Sequence, residues 1–177
     1  MPKSTLILYA HPSPNKSRVN SALYSAAKSL DFVTGRDLYE CYPNLYIDVA
    51  VEQHLLRQHE VIVFQFPLYW YSAPALLKEW IDTVLKRGFS HGEGERALAG
   101  KSFMLAVSAG GGEGAYNEGE RHGAPLLSYL APFQQTARFC DMQVEKPFIV
   151  QGASDLTSLQ IKTVAKQYQH HLSELGV

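Results

Sequence analysis

The chain has 177 residues, 46% of them hydrophobic and 19% charged, with a formal net charge of −1. That length suits one domain over residues 1–177, able to bury roughly 70% of its unfolded surface, and a near-neutral charge without a Lys/Arg run excludes a nucleic-acid surface. No basic-then-apolar leader and no run near the ~20 apolar residues of a membrane span appears, and Cys41 and Cys140 lack metal-type spacing, so a cytoplasmic protein with reduced thiols and no metal is expected.

Short apolar runs at residues 5–10, 33–38, 61–66, 103–108 and 144–150 predict five strands. The first strand delivers His11-Pro12, then Ser13, Asn15, Ser17 and Asn20, ahead of a helix striped by Leu23, Ala26, Ala27 and Leu30. Hydroxyls, amides and free N–H groups opening a helix make a phosphate cradle. After the second strand, Asp48 is placed to cap a helix running to about His59. The third strand runs into Gln65-Phe66-Pro67-Leu68-Tyr69-Trp70-Tyr71-Ser72-Ala73-Pro74, where two prolines forbid a helix. Three aromatics therefore stand at a strand end, the usual ligand position in an open α/β sheet.

Ala75 to Leu85 reads as the next helix, packing Leu77, Trp80, Ile81 and Val84, followed by a polar, glycine-rich connection over residues 88–100. The fourth strand leads into Ser108-Ala109-Gly110-Gly111-Gly112, with Tyr116 and His122 beyond. Consecutive glycines let backbone N–H groups approach a flat or anionic ligand, and Tyr116 and His122 add proton-capable groups. A helix over about 124–138, kinked at Pro132, and a last helix facing inward through Ile161, Val164, Ala165, Tyr168, Leu172 and Leu175 complete the chain. Strands alternating with helices argue for an α/β fold: a five-stranded parallel sheet with helices on both faces and right-handed crossovers. Ligand loops after strands one, three and four fit the order 2-1-3-4-5. One loop suits a phosphate, one an aromatic face and one a polar ring edge, the parts of a flavin mononucleotide.

Other signals fail on context. The stretch from Gly94 to Ser102 mimics a phosphate-binding loop but leads into a strand, and Gly92-x-Gly94-x-x-Ala97 follows none. His54, His59, His170 and His171 read as solvated surface residues. No Gly-x-Ser-x-Gly elbow supports a hydrolase.

Gln65-Phe66-Pro67-Leu68-x-Trp70, then Pro74-Ala75-x-Leu77-Lys78-x-Trp80, the glycine run with Tyr116 and His122, and Phe139-Cys140-x-x-Gln143-Val144 carry a resemblance over essentially the whole chain. The sequence resembles the flavodoxin-like NAD(P)H:quinone oxidoreductases. His11-Pro12, Leu45-x-Ile47-Asp48 and the chain length are similar to the short bacterial subgroup that includes ancillary subunits of glutathione-gated potassium efflux systems. The resemblance implies a single flavodoxin-like domain, FMN in preference to FAD, NAD(P)H as co-substrate and quinones as acceptors in a two-electron ping-pong reaction. It implies phosphate contacts from Ser17, Arg18, Val19 and Asn20 with His11 nearby. Ring contacts would come from Pro67, Leu68, Tyr69, Trp70 and Tyr71 and from Ala109, Gly110, Gly111 and Gly112, with Tyr116 relayed to His122 as the catalytic pair. Two positions depart from the family pattern: Tyr69 stands where glutamine is frequent, and Ala109 where threonine is. A homodimer is expected, with a potassium efflux transporter as partner at the cytosolic face of the inner membrane. Two rival readings are a regulatory subunit that acts by docking alone and a one-electron carrier, the latter at odds with the weak net charge and the Tyr–His pair.

Overall fold

In the computed structural model, residues 2–175 are described. The apolar runs become strands β1 (Thr5–Tyr9), β2 (Val33–Asp37), β3 (Val61–Pro67), β4 (Ser102–Ser108), β5 (Gln143–Val144) and β6 (Phe148–Val150). Helices α1 (Val19–Ala27), α2 (Leu38–Cys41), α3 (Val49–Gln58), α4 (Ala75–Val84), α5 (Leu126–Phe139) and α6 (Ser158–Glu174) connect and follow them. All strand pairs are parallel, in the order β2-β1-β3-β4-β5, with β6 also on β4. Every residue of β1, β3 and β4 is buried. That is the signature of parallel strands covered on both faces. Alternate residues serve separate cores: Leu6, Leu8, Phe64, Leu105 and their neighbours pack under α2 to α5, and Ile7, Val63, Met104 and Ala106 under α1 and α6.

The expected fifth strand is present in two pieces. Phe103 pairs with Val144 and Ala106 with Phe148, so β4 advances three residues while its neighbour advances four. The extra residue falls in Glu145-Lys146-Pro147, and Pro147 lacks the N–H that would continue the ladder. The expected second strand also stops one residue early. Asp37 turns its carboxylate onto the N–H groups of Tyr39 and Glu40 and caps the short helix α2, which the sequence pattern did not reveal. Asp48 caps α3 in the same way, as expected. α5 begins after Pro125 and runs unbroken through Pro132. His59 is buried, contrary to expectation: Nδ1 lies 2.7 Å from the Leu55 carbonyl and Nε2 2.8 Å from Thr34 Oγ1, so it ties α3 to β2.

Among the described residues one acid lies inside. Fully buried Glu52 on α3 accepts from Arg36 Nε (2.8 Å), the Tyr42 hydroxyl (2.6 Å) and Trp80 Nε1 (2.8 Å), joining β2, the end of α2 and α4. Paired on both oxygens, it meets the condition for a buried charge. Among the described residues, no helix is long and apolar enough to cross a membrane.

Candidate active site

The loops at the C-terminal ends of β1, β3, β4 and β6 surround an open cleft of about 310 Å³. One wall is the start of α1. Ser17 Oγ, 3.0 Å from the Tyr9 hydroxyl, accepts from Ser21 N–H at 3.0 Å. The next N–H groups, of Val19 and Asn20, find no acceptor among the described residues. A helix start of this kind carries partial positive charge. Lys16 and Arg18 add cations to the same wall, and Arg18 also donates to the Leu156 carbonyl at 3.0 Å. Asn20 is buried; its Nδ2 donates to Ser108 Oγ at 2.5 Å, while its buried Oδ1 has no partner among the described residues. Turned over, the same amide would accept from Ser108 and direct an unpaired donor instead. Either way one polar atom of the Asn20 amide is left without a partner among the described residues. His11 is buried at the end of β1, accepts the Ser13 N–H at Nδ1 (3.1 Å), and meets the Tyr69 ring edge-on at 6.0 Å. Burial pulls its pKa below the ordinary imidazole value.

Pro67, Leu68 and Tyr69 form the second wall. Tyr69 N–H donates to the Ser72 carbonyl and Ser72 N–H to the Tyr69 carbonyl, both at 2.9 Å. Between them Trp70 (φ 49°) and Tyr71 (φ 62°) occupy the left-handed region. This is a two-residue hairpin of the mirror-image type, normally built from Asn and Gly. Bulky residues there are backbone outliers. Trp70 and Tyr71 lie outside the cleft lining, and Trp70 is 93% exposed.

The third wall is the glycine loop. Gly110 lines the cleft, and the N–H groups of Gly110, Gly111 and Gly112 have no acceptor among the described residues. Ala109 differs from expectation. It is buried, its N–H donates to the Val150 carbonyl (2.8 Å) and its carbonyl accepts from Ala153 (3.0 Å), so its backbone groups are already paired and anchor the loop. Tyr116 and His122 sit on the loop's flank and do not line the cleft. Their rings stack with centroids 4.2 Å apart, and a Cβ added to Gly111 would meet them at 2.7 and 2.9 Å. Tyr116 is expected to relay to His122; the two share a stacked face and no hydrogen bond. His122 Nδ1 instead lies 3.4 Å from the Tyr71 hydroxyl.

Lys16, Ser108, Ala153 and Ser154 also line the cleft and are not among the expected contacts. The last two follow β6 in Gly152-Ala153-Ser154, a run of small residues after an apolar run, the same signal as at the glycine loop. Among the described residues no group of His, Cys, Asp or Glu could hold a metal ion.

The profile of the flavodoxin-like fold matches residues 3–172. This chain belongs to the flavodoxin-like family. Among its flavodoxin-like relatives is the glutathione-regulated potassium-efflux system ancillary protein KefG of Pectobacterium atrosepticum, 45% identical over 172 residues, covering 97% of this chain and 94% of the relative. The general stress protein 14 of Treponema denticola, solved in complex with FMN, superposes with a TM-score of 0.91 at 36% identity, covering 96% of this chain and 97% of that one. An NADPH-quinone reductase from P. pentosaceus gives a TM-score of 0.88 at 32% identity, covering 98% and 99%. A chain described as a thermophilic tryptophan halogenase gives 0.91 at 42% identity, covering 94% and 97%. Its name describes a different chemistry, so fold and family are what the three structures share.

Proposed function

We propose that this flavodoxin-like protein is an FMN-dependent NAD(P)H:quinone oxidoreductase that serves a glutathione-gated potassium efflux transporter as its ancillary subunit. The observation that carries the enzyme reading is the set of unpaired groups around one cleft. Val19 and Asn20 N–H with Lys16 and Arg18 suit a phosphate, and the bare N–H groups of Gly110 to Gly112 suit the polar edge of a flavin ring. The orphaned Asn20 side-chain atom fits a bound ligand better than an empty cleft. A volume of about 310 Å³ lies at the lower end of small-molecule sites.

FMN, when bound, supplies the ring that accepts and returns a hydride. The chain's own residues hold and orient it. Ser17, Arg18, Val19 and Asn20 bind the phosphate with His11 neutral beside them. Pro67, Leu68 and Tyr69 wall the ring and exclude water. The glycine N–H groups donate where negative charge gathers, and preorganised donors of that kind are worth roughly 3–4 kcal/mol each. Tyr116 holds an exchangeable proton at its phenol oxygen, and His122 at a ring nitrogen. NAD(P)H and the quinone occupy the same open face in turn, so the kinetics are ping-pong. Tyr69, Trp70 and Tyr71 are exposed beside the cleft, and a second copy of the chain covers them in a homodimer. The protein works in the cytoplasm, peripheral to the inner membrane.

The test is the absorbance spectrum of the purified protein. Flavin bands that bleach on adding NAD(P)H and return with a quinone, together with a heat-released cofactor co-migrating with FMN, support the reading. A colourless protein that takes up no FMN rejects it. The efflux role is supported by the KefG relatives. Potassium efflux after thiol stress in a deletion strain tests it, and rescue by a catalytically dead variant would make docking alone the function.

A further inference from the structure

Gln65 stands on β3 at the centre of the sheet, fully buried, and lines no part of the cleft. Its strand neighbours on the same face, Val61 and Val63, are aliphatic. An amide in such surroundings is costly unless both polar atoms are paired. Both are. Nε2 donates to the Asn20 carbonyl at 2.8 Å, and Oε1 accepts from the hydroxyl of fully buried Tyr168 on α6 at 3.2 Å. Asn20 is the second residue of α1, and its own amide donates to Ser108 at the end of β4. One residue of the cradle is thus held from two strands, by its backbone from β3 and by its side chain from β4. The chain of bonds runs from α6 through the sheet to the first turn of α1.

We infer that Gln65, backed by Tyr168, is a positioning residue for the anion end of the cleft. It fixes the first turn of α1 against the sheet, so that the Val19 and Asn20 N–H groups stand in place before a phosphate arrives. Preorganised donors bind without the ordering cost that a loosely held turn would incur. This inference rests on the FMN reading and adds residues outside the cleft to it.

The experiment compares FMN with riboflavin, which has the same ring and no phosphate, by fluorescence titration of the flavin-free protein. Gln65→Leu, Tyr168→Phe and the double variant are measured beside the wild type. Gln65→Leu should weaken FMN about tenfold, the loss of roughly one hydrogen bond, and leave riboflavin within about twofold. Tyr168→Phe should act in the same direction and less strongly. The double variant removes both polar partners, so its unfolding midpoint should return toward the wild type while the preference for FMN stays reduced. That pattern separates positioning from stability, and Tyr168→Phe carries the test if Gln65→Leu fails to fold. Parallel losses for FMN and riboflavin, or unchanged FMN binding, overturn the inference alone. A wild-type protein that binds neither overturns the FMN reading and the inference with it.

Discussion

The rings of Tyr116 and His122 lie face to face, 4.2 Å between centroids and 11° from parallel. A stacked pair moves as a unit and leaves both polar edges free for other partners. His122 is turned toward Tyr71 and its carbonyl accepts from the Tyr129 hydroxyl, so the loop and α5 hold it. Replacing Tyr116 by Phe together with His122 by Ala should slow flavin reduction about 10²–10⁴-fold with FMN still bound. Stopped-flow reduction at the wild-type rate in the double variant would remove both from the mechanism.

Gly111→Ala isolates geometry from chemistry. Gly111 is not in the left-handed region, but its added methyl would sit 2.7 Å from the Tyr116 ring and 2.9 Å from His122 Nε2. The pair must shift, and a displacement of that order costs about 100-fold in rate. Turnover should fall while the unfolding midpoint changes little. Unchanged turnover would show that the position of the pair is immaterial.

The hairpin at Trp70 and Tyr71 predicts a trade between stability and activity. Trp70→Asn with Tyr71→Gly suits the backbone that these bulky residues strain, and should relieve roughly 1–2 kcal/mol per residue. For a protein of this size that raises the unfolding midpoint by roughly 2–4 °C per kcal/mol. Quinone turnover should drop, and light scattering should show less dimer. A variant that is more stable, fully active and fully dimeric would leave the strained turn without a purpose.

The strands and the loops that line the cleft were legible because burial on both faces forces continuous apolar runs, and glycine and proline punctuate their ends. The α2 cap was not, since Asp37 belongs to an apolar run by position and reveals itself only by bonding Tyr39 and Glu40. The pairing of the Ala109 backbone was hidden for a related reason. Its side chain says nothing of whether its N–H is already taken by Val150. Ser108 and Lys16 reach the cleft through folding of the chain around it, and the Tyr116–His122 stack depends on a packing angle that spacing does not encode. Gln65 was visible as part of a motif, but its role needs Tyr168, 103 residues away.

Glu52→Ala should be the most damaging single change outside the cleft. It strands Arg36, whose side chain is 23% exposed, and unpairs Trp80 Nε1. Breaking a buried pair from one side costs about 3–5 kcal/mol, and the partial exposure of Arg36 puts the expected loss near the lower value. Glu52→Gln keeps one acceptor oxygen, enough for Trp80 or for Arg36 and Tyr42 but not for both, and should lose less than the alanine variant. Chemical denaturation of both variants checks the order.

Acid should weaken the fold through His11. Its pKa is lowered by burial from the ordinary 6.5, so below that value the unfolded chain binds a proton that the folded chain resists. The stabilisation is complete above 6.5 and is lost as pH falls through the lower folded value. The unfolding midpoint of His11→Gln should therefore fall less than that of the wild type between about pH 7 and pH 5. Equal falls would assign the acid sensitivity elsewhere.

The extra residue between β5 and β6 sets the phase of everything after it. Val144 packs into the core under α4 and α5, whereas Phe148 and Val150 face α1 and α6, with Ile149 on the first side. Even-numbered positions thus change faces across Pro147, because two-residue alternation reverses when one residue is inserted. Deleting the extra residue in Glu145-Lys146-Pro147 would bring the two strands into step, three residues against three, and leave Phe148 opposite Ala106 and facing Tyr168. Loss of two residues would leave two steps against three and turn Phe148 toward the core that holds Val144. This segment should therefore tolerate the loss of one residue and fail on the loss of two, where an ordinary surface loop accepts either.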